Sequence, residues 1–187
     1  RCVRFLCVQD CEDEIVEGVR LLEELFSYTK TEKRVPVPLS CLRLGLKCGG
    51  SDGFSGITAN PMVGRISDRL CEIGGSCVLT EVPEMFGAEQ LLMNKCKTVE
   101  VFEKYRRMIE DFKRYYTDQG FPVYENPSPG NKAGGITTLE DKSCGCVQKG
   151  GDAPIMDVIG YGDPVTAKGL NMLYGPGNDL VSSTALT

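Results

Sequence analysis

Hydrophobic and polar positions along the chain follow two spacings, one typical of strands and one typical of helices. Val3, Phe5 and Cys7 recur at every second position, as in a half-buried strand. By the same rules the sequence predicts strands over residues 3–7, 42–48, 76–80, 155–159 and 170–174, and helices over residues 10–28, 60–73, 87–95, 98–118 and 138–148.

Short polar signals mark the ends of several helices. Asn60-Pro61 predicts a helix start, with Asn60 as the N-cap and Pro61 in the first turn. Thr138 and Asp141, three residues apart, resemble a capping box. The Pro-, Gly- and Asn-rich segment 121–135 predicts a loop. One apolar stripe of helix 98–118 is predicted to face the core: Val101, Tyr105, Ile109, Phe112 and Tyr116.

The alternation of strands and helices predicts the fold class α/β, with a mostly parallel sheet, helices on both faces and right-handed crossovers. Ligands of such sheets bind beyond the carboxyl ends of the strands. We therefore expect functional residues directly after the predicted strands.

Composition places the chain among globular proteins with their own core, since 41% of its 187 residues are hydrophobic and 25% are charged. A net charge of −5 disfavours binding to nucleic acid or to an anionic membrane. No apolar run approaches the roughly 20 residues of a membrane span, and no secretory leader opens the sequence. We therefore predict a cytoplasmic protein.

Two residue types constrain the chemistry. The chain has no histidine, so its acid–base chemistry falls to Asp, Glu, Lys, Tyr or Cys. Its 10 cysteines are too dilute for a disulfide scaffold. We predict mostly free thiols, several of them acting as small apolar side chains: Cys2, Cys7, Cys71 and Cys77.

A glycine-rich segment follows the second predicted strand. Residues 48–56 read Cys-Gly-Gly-Ser-Asp-Gly-Phe-Ser-Gly, and glycines such as Gly49 and Gly50 free backbone N–H groups to turn toward a carboxylate or phosphate. The spacing fits no nucleotide-binding fingerprint, so a nucleotide site is disfavoured. The alternative is a plain turn between a strand and a helix.

Two carboxylates follow the third predicted strand. Glu81 and Glu84 flank Pro83, and this short separation lets both face one ligand, as metal binding or proton abstraction requires. The alternative is a pair of solvated acids at the start of a helix.

A lysine among amides and glycines marks the loop 124–135. Lys132 could fix a substrate carboxylate or stabilise an enolate, with Asn126 and Asn131 bonding to hydroxyl groups. The alternative is an exposed loop with an ordinary lysine.

Four segments together resemble the altronate/galactarate dehydratase family. They are LKCGGSDGFSGITANP (46–61), TEVPEMFGAE (80–89), NPSPGNKAGGITTLEDKS (126–143) and GPGNDLVSSTAL (175–186). The third is more similar to the altronate branch than to the galactarate branch. The resemblance implies a bacterial sugar-acid hydro-lyase with a Rossmann-like parallel sheet and a requirement for ferrous iron. It also implies further sequence on both sides, so we expect residues 1–187 to be a partial catalytic domain.

Dehydration of a sugar acid removes a proton next to a carboxylate and expels hydroxide, and a divalent metal would assist both steps. We predict that Glu84 or Glu81 is a metal ligand or the base, and that Lys132 pairs with the substrate carboxylate. The predicted Fe²⁺ ligands are Cys48, Asp52, Glu81 and Glu84. The predicted substrate-binding residues are Gly49, Gly50, Ser51, Asp52, Asn126 and Asn131.

The main hypothesis is dehydration of D-altronate to 2-dehydro-3-deoxy-D-gluconate. Galactarate or sulfolactate as the substrate is the nearest alternative, and a non-catalytic sugar-acid binding module is an alternative of another class. The predicted partner is a small sugar acid rather than nucleic acid or a membrane, and a homodimer is compatible with the sequence.

Overall fold

The computed structural model of the protein describes residues 3–176. The chain divides into two units, Arg1–Val37 and Pro38–Thr187. The first unit contains helix α1 (Glu14–Thr29), whose N-cap Asp13 accepts hydrogen bonds from the backbone N–H groups of Ile15 and Val16 at 3.0 and 2.9 Å. The helix predicted over residues 10–28 is confirmed, with a later start.

The strand predicted over residues 3–7 is wrong. These residues form no regular element and lead into a 3-10 turn, Val8–Asp10. A strand needs a neighbour to bond its N–H and C=O groups, and no described strand pairs with this segment. The apolar side chains of α1 are exposed: Ile15, Val19, Leu22 and Phe26.

The second unit is built around a sheet of four parallel strands in the order β1-β2-β4-β3. These strands are β1 (Arg43–Leu46), β2 (Ser76–Leu79), β3 (Ile155–Ile159) and β4 (Gly169–Leu173). Every residue of the central strand β2 is buried. The predicted α/β class and parallel sheet are confirmed, and all four strands lie within two residues of their predicted positions.

Five helices of the second unit lie around this sheet in the described residues. They are α2 (Ala59–Glu72), α3 (Glu89–Met93), α4 (Val99–Asp118), α5 (Pro129–Ala133) and α6 (Leu139–Cys146), with 3-10 turns at Leu39–Cys41, Val82–Met85 and Val147–Gly150. The core contains side chains from the sheet, from α4 and from the turn after β2. Its fully closed members include Cys77, Val82, Leu92, Tyr105 and Ile155.

Helix α4 follows its predicted course. Thr98 is the N-cap, and its hydroxyl accepts a hydrogen bond from the N–H of Val101 at 3.2 Å. Four of the five residues predicted to face the core are buried, and Tyr116 is half-buried.

Two local predictions were wrong. Asn60 is not the N-cap of α2: Thr58 takes that position, and the Asn60 amide instead donates to the carbonyl of Gly145 at 3.0 Å. The loop predicted over residues 121–135 contains α5, which begins where Ser128 and Asn131 form a capping box. Ser128 and Pro129 supply an N-cap and a first helical residue, a start signal that the surrounding glycines obscured.

Every cysteine among the described residues has a free thiol, as predicted. Cys77 is buried and Cys71 is half-buried, but Cys7 is exposed and packs in no core. Cys2 and the fourth motif from residue 177 onward lie outside the described residues. Within residues 3–176 no helix is long and apolar enough to cross a membrane.

Candidate functional site

The carboxyl ends of β1 and β2 place two motifs side by side. The strands are parallel neighbours, with Leu46 opposite Leu79 in register. Lys47-Cys48 therefore leaves the sheet next to Thr80-Glu81, and the 3-10 turn that follows β2 carries Glu84. Because adjacent parallel strands end at one edge, side chains far apart in sequence meet there.

Glu81 is a buried carboxylate surrounded by donors. Its side chain is 1% exposed. Oε2 accepts a hydrogen bond from the Cys48 backbone N–H at 2.6 Å, and Oε1 accepts from the Lys47 ammonium and the Cys48 thiol, each at 3.0 Å. The ammonium of Lys149, itself buried, lies 3.6 Å from Oε2.

The backbone of Glu81 is left-handed, with a φ of 69°. For a residue with a branched or long side chain this conformation costs on the order of 1–3 kcal/mol. Such strain persists where the surroundings determine it, and it clusters at functional sites. Here the hydrogen bonds from Lys47 and Cys48 hold the Glu81 carboxylate next to the carboxyl end of β1.

Glu84 is the more accessible carboxylate, with a side chain that is 12% exposed. Its Oε2 lies 3.2 Å from the ammonium of Lys142 and accepts a hydrogen bond from the Cys146 thiol at 3.3 Å. Lys142 also donates to Oδ1 of Asn131 at 3.3 Å. The amide of Asn131 in turn donates to the carbonyl of Ser51 at 2.9 Å, so the glycine-rich segment is tied to the same network.

Cys48, Glu81 and Glu84 form a group that fits a metal ion. One ligand atom from each lies within 4.8 Å of the others. Burial, followed by the hydrogen bond to Glu81, raises the pKa of the Cys48 thiol to about 11, so the thiol holds its proton at neutral pH. A thiolate and two carboxylates suit a divalent transition metal, which would replace the thiol proton.

Three predicted site residues, Cys48, Glu81 and Glu84, lie together in the structure. Hydrogen bonds through Lys142 connect Asn131 and Ser51 to them, whereas the other predicted residues lie elsewhere. Asp52 is exposed and outside the three-residue group; its Oδ1 accepts from the hydroxyl and N–H of Ser55 and from the N–H of Phe54. The hydrogen bond from the Ser55 hydroxyl, together with those backbone bonds, lowers the pKa of Asp52. Asp52 thus shapes its own loop.

Lys132, Gly49 and Gly50 are exposed. The ammonium of Lys132, on α5, makes no hydrogen bond or ion pair with the described residues. A Cβ added at Gly49 or Gly50 would meet no neighbouring atom within 4 Å, and neither glycine has a positive φ, so the space around them is open. Asn126 is half-buried beside the groove that adjoins Glu84.

Two buried lysines of the site, Lys142 and Lys149, were not predicted from the sequence; each is 3% exposed. Burial is the largest single influence on the pKa of Lys142 and lowers it, but the Glu84 carboxylate together with the side chains of Cys146 and Cys48 outweighs burial, so the pKa lies above its usual value. Lys142 belongs to the third motif, and small residues, Ser143 and Gly145, follow it. These small residues are the one local sign in the sequence that this side of α6 packs closely against the rest of the protein and that Lys142 is buried there.

A parallel α/β unit with a thiol, two carboxylates and buried lysines at the carboxyl edge of its sheet defines a candidate metal-assisted acid–base site. The chain belongs to the D-galactarate/altronate dehydratase family: the family described as "D-galactarate/Altronate dehydratase, C-terminal" matches residues 39–187. The resemblance of the four segments is confirmed.

Individual relatives agree with this membership. The chain is 59% identical to an altronate dehydratase of Bacillus subtilis (strain 168) and 56% identical to one of Escherichia coli (strain K12), in each case over 98% of this chain and 37% of the relative. It is 35% identical to the galactarate dehydratase (L-threo-forming) of Escherichia coli (strain K12), over 92% of this chain and 32% of that protein. The chain thus spans about a third of the length of these relatives.

Proposed function

We propose that this chain is part of the catalytic region of a hydro-lyase that dehydrates a sugar acid, with D-altronate as substrate and 2-dehydro-3-deoxy-D-gluconate and water as products. The observation that carries the proposal is the group of Cys48, Glu81 and Glu84 at the carboxyl edge of the sheet. Two relatives that are more than half identical to the chain are named altronate dehydratase.

The surroundings of the two carboxylates favour different roles for them. Glu81 is closed off from water, and both of its oxygens already face donors. Glu84 keeps some exposure, and its contacts with Lys142 and Cys146 both involve Oε2. We therefore assign proton abstraction to Glu84, through Oε1, and a holding role to Glu81.

Fe²⁺ is the cofactor of this proposal: Cys48 and Glu81 would hold it, and Glu84 lies beside them as the base. When bound, the ion supplies Lewis acidity to the carboxylate and hydroxyl oxygens of the substrate. The reaction itself is redox-neutral: C2 loses a proton, C3 loses its hydroxyl as water, and the enol that remains becomes a 2-keto acid.

The remaining predicted residues have supporting roles in the proposal. Gly49 and Gly50 leave open space next to Cys48, where the substrate carboxylate can approach, and Ser51 and Asn131 frame that space. Lys132 would have to reach the substrate from the exposed side of α5. Asp52 would act through the shape of its loop, since its carboxylate is engaged by its own turn. A cytoplasmic location, and a sugar acid rather than nucleic acid or a membrane as partner, complete the proposal.

Turnover with and without metal separates an enzyme from a binding module. The full-length polypeptide that carries this chain should form a 2-keto acid from D-altronate only with Fe²⁺ and a reductant under anaerobic conditions. A binding module would instead be stabilised thermally by the sugar acid without metal and would release no keto acid. That second pattern would overturn the proposal, and parallel assays with galactarate and sulfolactate would identify the alternative substrates.

A further inference from the structure

A groove of about 610 Å³ opens beside Glu84 and extends away from the three-residue group. One wall is the turn after β2, another is the end of α4, and a third is the loop before α5. Its polar lining consists of Glu84, Tyr116, Glu125, Asn126 and Ser128, and the other lining side chains are proline, phenylalanine and valine. The groove therefore has a mixed lining, in which a few hydrogen-bonding groups lie among apolar side chains.

Charge is distributed unevenly between the groove and the group beside it. Three ammonium groups, those of Lys47, Lys142 and Lys149, lie within 3.6 Å of the carboxylates of Glu81 and Glu84. The lining of the groove, in contrast, includes two glutamates and neither lysine nor arginine.

This lining suits hydroxyl groups better than a second carboxylate. Amide, hydroxyl and carboxylate groups can each donate to or accept from an alcohol. Burial raises the pKa of the Tyr116 hydroxyl, which therefore remains a donor. A carboxylate in the groove would lose water without gaining a cation, and it would face the carboxylate of Glu125.

We propose that the groove holds the uncharged polyhydroxyl end of a monocarboxylate sugar acid, and that Glu125 is a specificity-determining residue that disfavours dicarboxylates. The inference rests on the proposed function and refines it. The carboxylate end of the substrate is then placed beside Cys48, Glu81 and Glu84, where the ammonium groups of Lys47, Lys142 and Lys149 lie. Glu125 is exposed, so its effect is one of moderate, salt-screened repulsion.

The test is the ratio of kcat/KM for D-altronate to kcat/KM for galactarate, measured on the full-length polypeptide with Fe²⁺. Wild type should prefer the monocarboxylate. The ratio should fall about threefold in Glu125→Gln and about tenfold in Glu125→Lys, and added salt should lower the wild-type ratio more than that of Glu125→Gln. Glu100→Gln removes an exposed glutamate that is not part of the groove, and it should leave the ratio unchanged.

The outcomes separate this inference from the function on which it rests. If wild type dehydrates D-altronate but Glu125→Lys keeps the wild-type ratio, the inference about the groove is overturned while the function stands. A wild-type preference for galactarate would overturn it as well. If wild type turns over neither acid, the proposed function fails and the inference fails with it.

Discussion

Lys142 and Glu84 form an ion pair that is nearly closed off from water, with side chains 2% and 12% exposed and 3.2 Å between Nζ and Oε2. Removing one partner of such a pair leaves the other charge buried without compensation. Lys142 also joins Glu84 to Asn131 and, through it, to Ser51. Its loss should therefore affect both stability and the shape of the site.

Replacing Lys142 with methionine should destabilise the protein by about 3–5 kcal/mol, because the Glu84 carboxylate would stay buried without its cation. The matched control is Lys132→Met, which removes an exposed ammonium and should change stability by no more than about 0.5 kcal/mol. Urea unfolding of the two variants and wild type measures both effects. Equal stability of the two variants would show that the pair is not important for the fold.

Metal binding can be followed through Cys48. Co²⁺ bound to a thiolate gives a charge-transfer absorption band, so the wild-type protein should show one. Cys48→Ser should lose the band, whereas Cys41→Ser, at an exposed cysteine outside the group, should keep it. Asp52→Asn should also keep it, since an amide oxygen can maintain the turn of residue 52. Loss of the band in Asp52→Asn but not in Cys48→Ser would reverse this assignment.

Among single residues, the acids and thiols of the candidate site are easier to predict from the sequence than its buried lysines. Cys48, Glu81 and Glu84 could be chosen as candidates because they come shortly after strands, where ligands of parallel sheets bind, and their ligand atoms do lie within 4.8 Å of one another. Lys142 and Lys149 could not, since a lysine in a polar helix or turn is normally solvated. Their burial depends on tertiary contacts with Glu84 and Glu81, which no local pattern encodes.

At the scale of elements, close packing of α2 against the turn Val147–Gly150 positions Lys149. Gly64 of α2 lies so near this turn that a Cβ would contact the carbonyl of Gln148 and lie 3.2 Å from Cα of Gly151. Backbone atoms cannot move aside as the end of a flexible side chain can.

Gly64→Ala should therefore destabilise the protein by about 1–3 kcal/mol, although alanine favours a helix over glycine. It should also weaken the proposed activity, because the turn that carries Lys149 must shift away from Glu81. Gly130→Ala is the control: no atom lies within 4 Å of the added Cβ, and its stability should be unchanged or slightly higher. Thermal unfolding of both variants measures the difference in stability. If Gly64→Ala is as stable as Gly130→Ala, α2 does not pack closely against the turn Val147–Gly150.

The elements that could be predicted have strong local signals. Helix α4 has a long apolar stripe and the cap at Thr98, and the four strands have apolar runs bounded by turns. Helix α5 was missed because it is one turn and a half long and rich in glycine and proline. The segment 3–7 has the alternation of a strand but no partner strand among the described residues, and pairing is not a local property.

For the whole molecule, the alternation of strands and helices was enough to predict a parallel α/β sheet. It could not predict the order β1-β2-β4-β3, which places β4 next to β2 through contacts between segments far apart in sequence. The family model begins at residue 39, close to the start of the second unit at Pro38. That unit contains every residue of the candidate site.

Turnover by Glu84→Gln in the full-length polypeptide tests whether Glu84 is the base, with 2-keto acid formed from D-altronate in the presence of Fe²⁺ as the readout. A general base contributes roughly 10²–10⁴-fold to the rate, and glutamine cannot accept the C2 proton. We expect kcat to fall at least about 100-fold in Glu84→Gln and to stay near the wild-type value in Glu100→Gln. A Glu84→Gln enzyme that keeps the wild-type kcat would show that Glu84 is not the base.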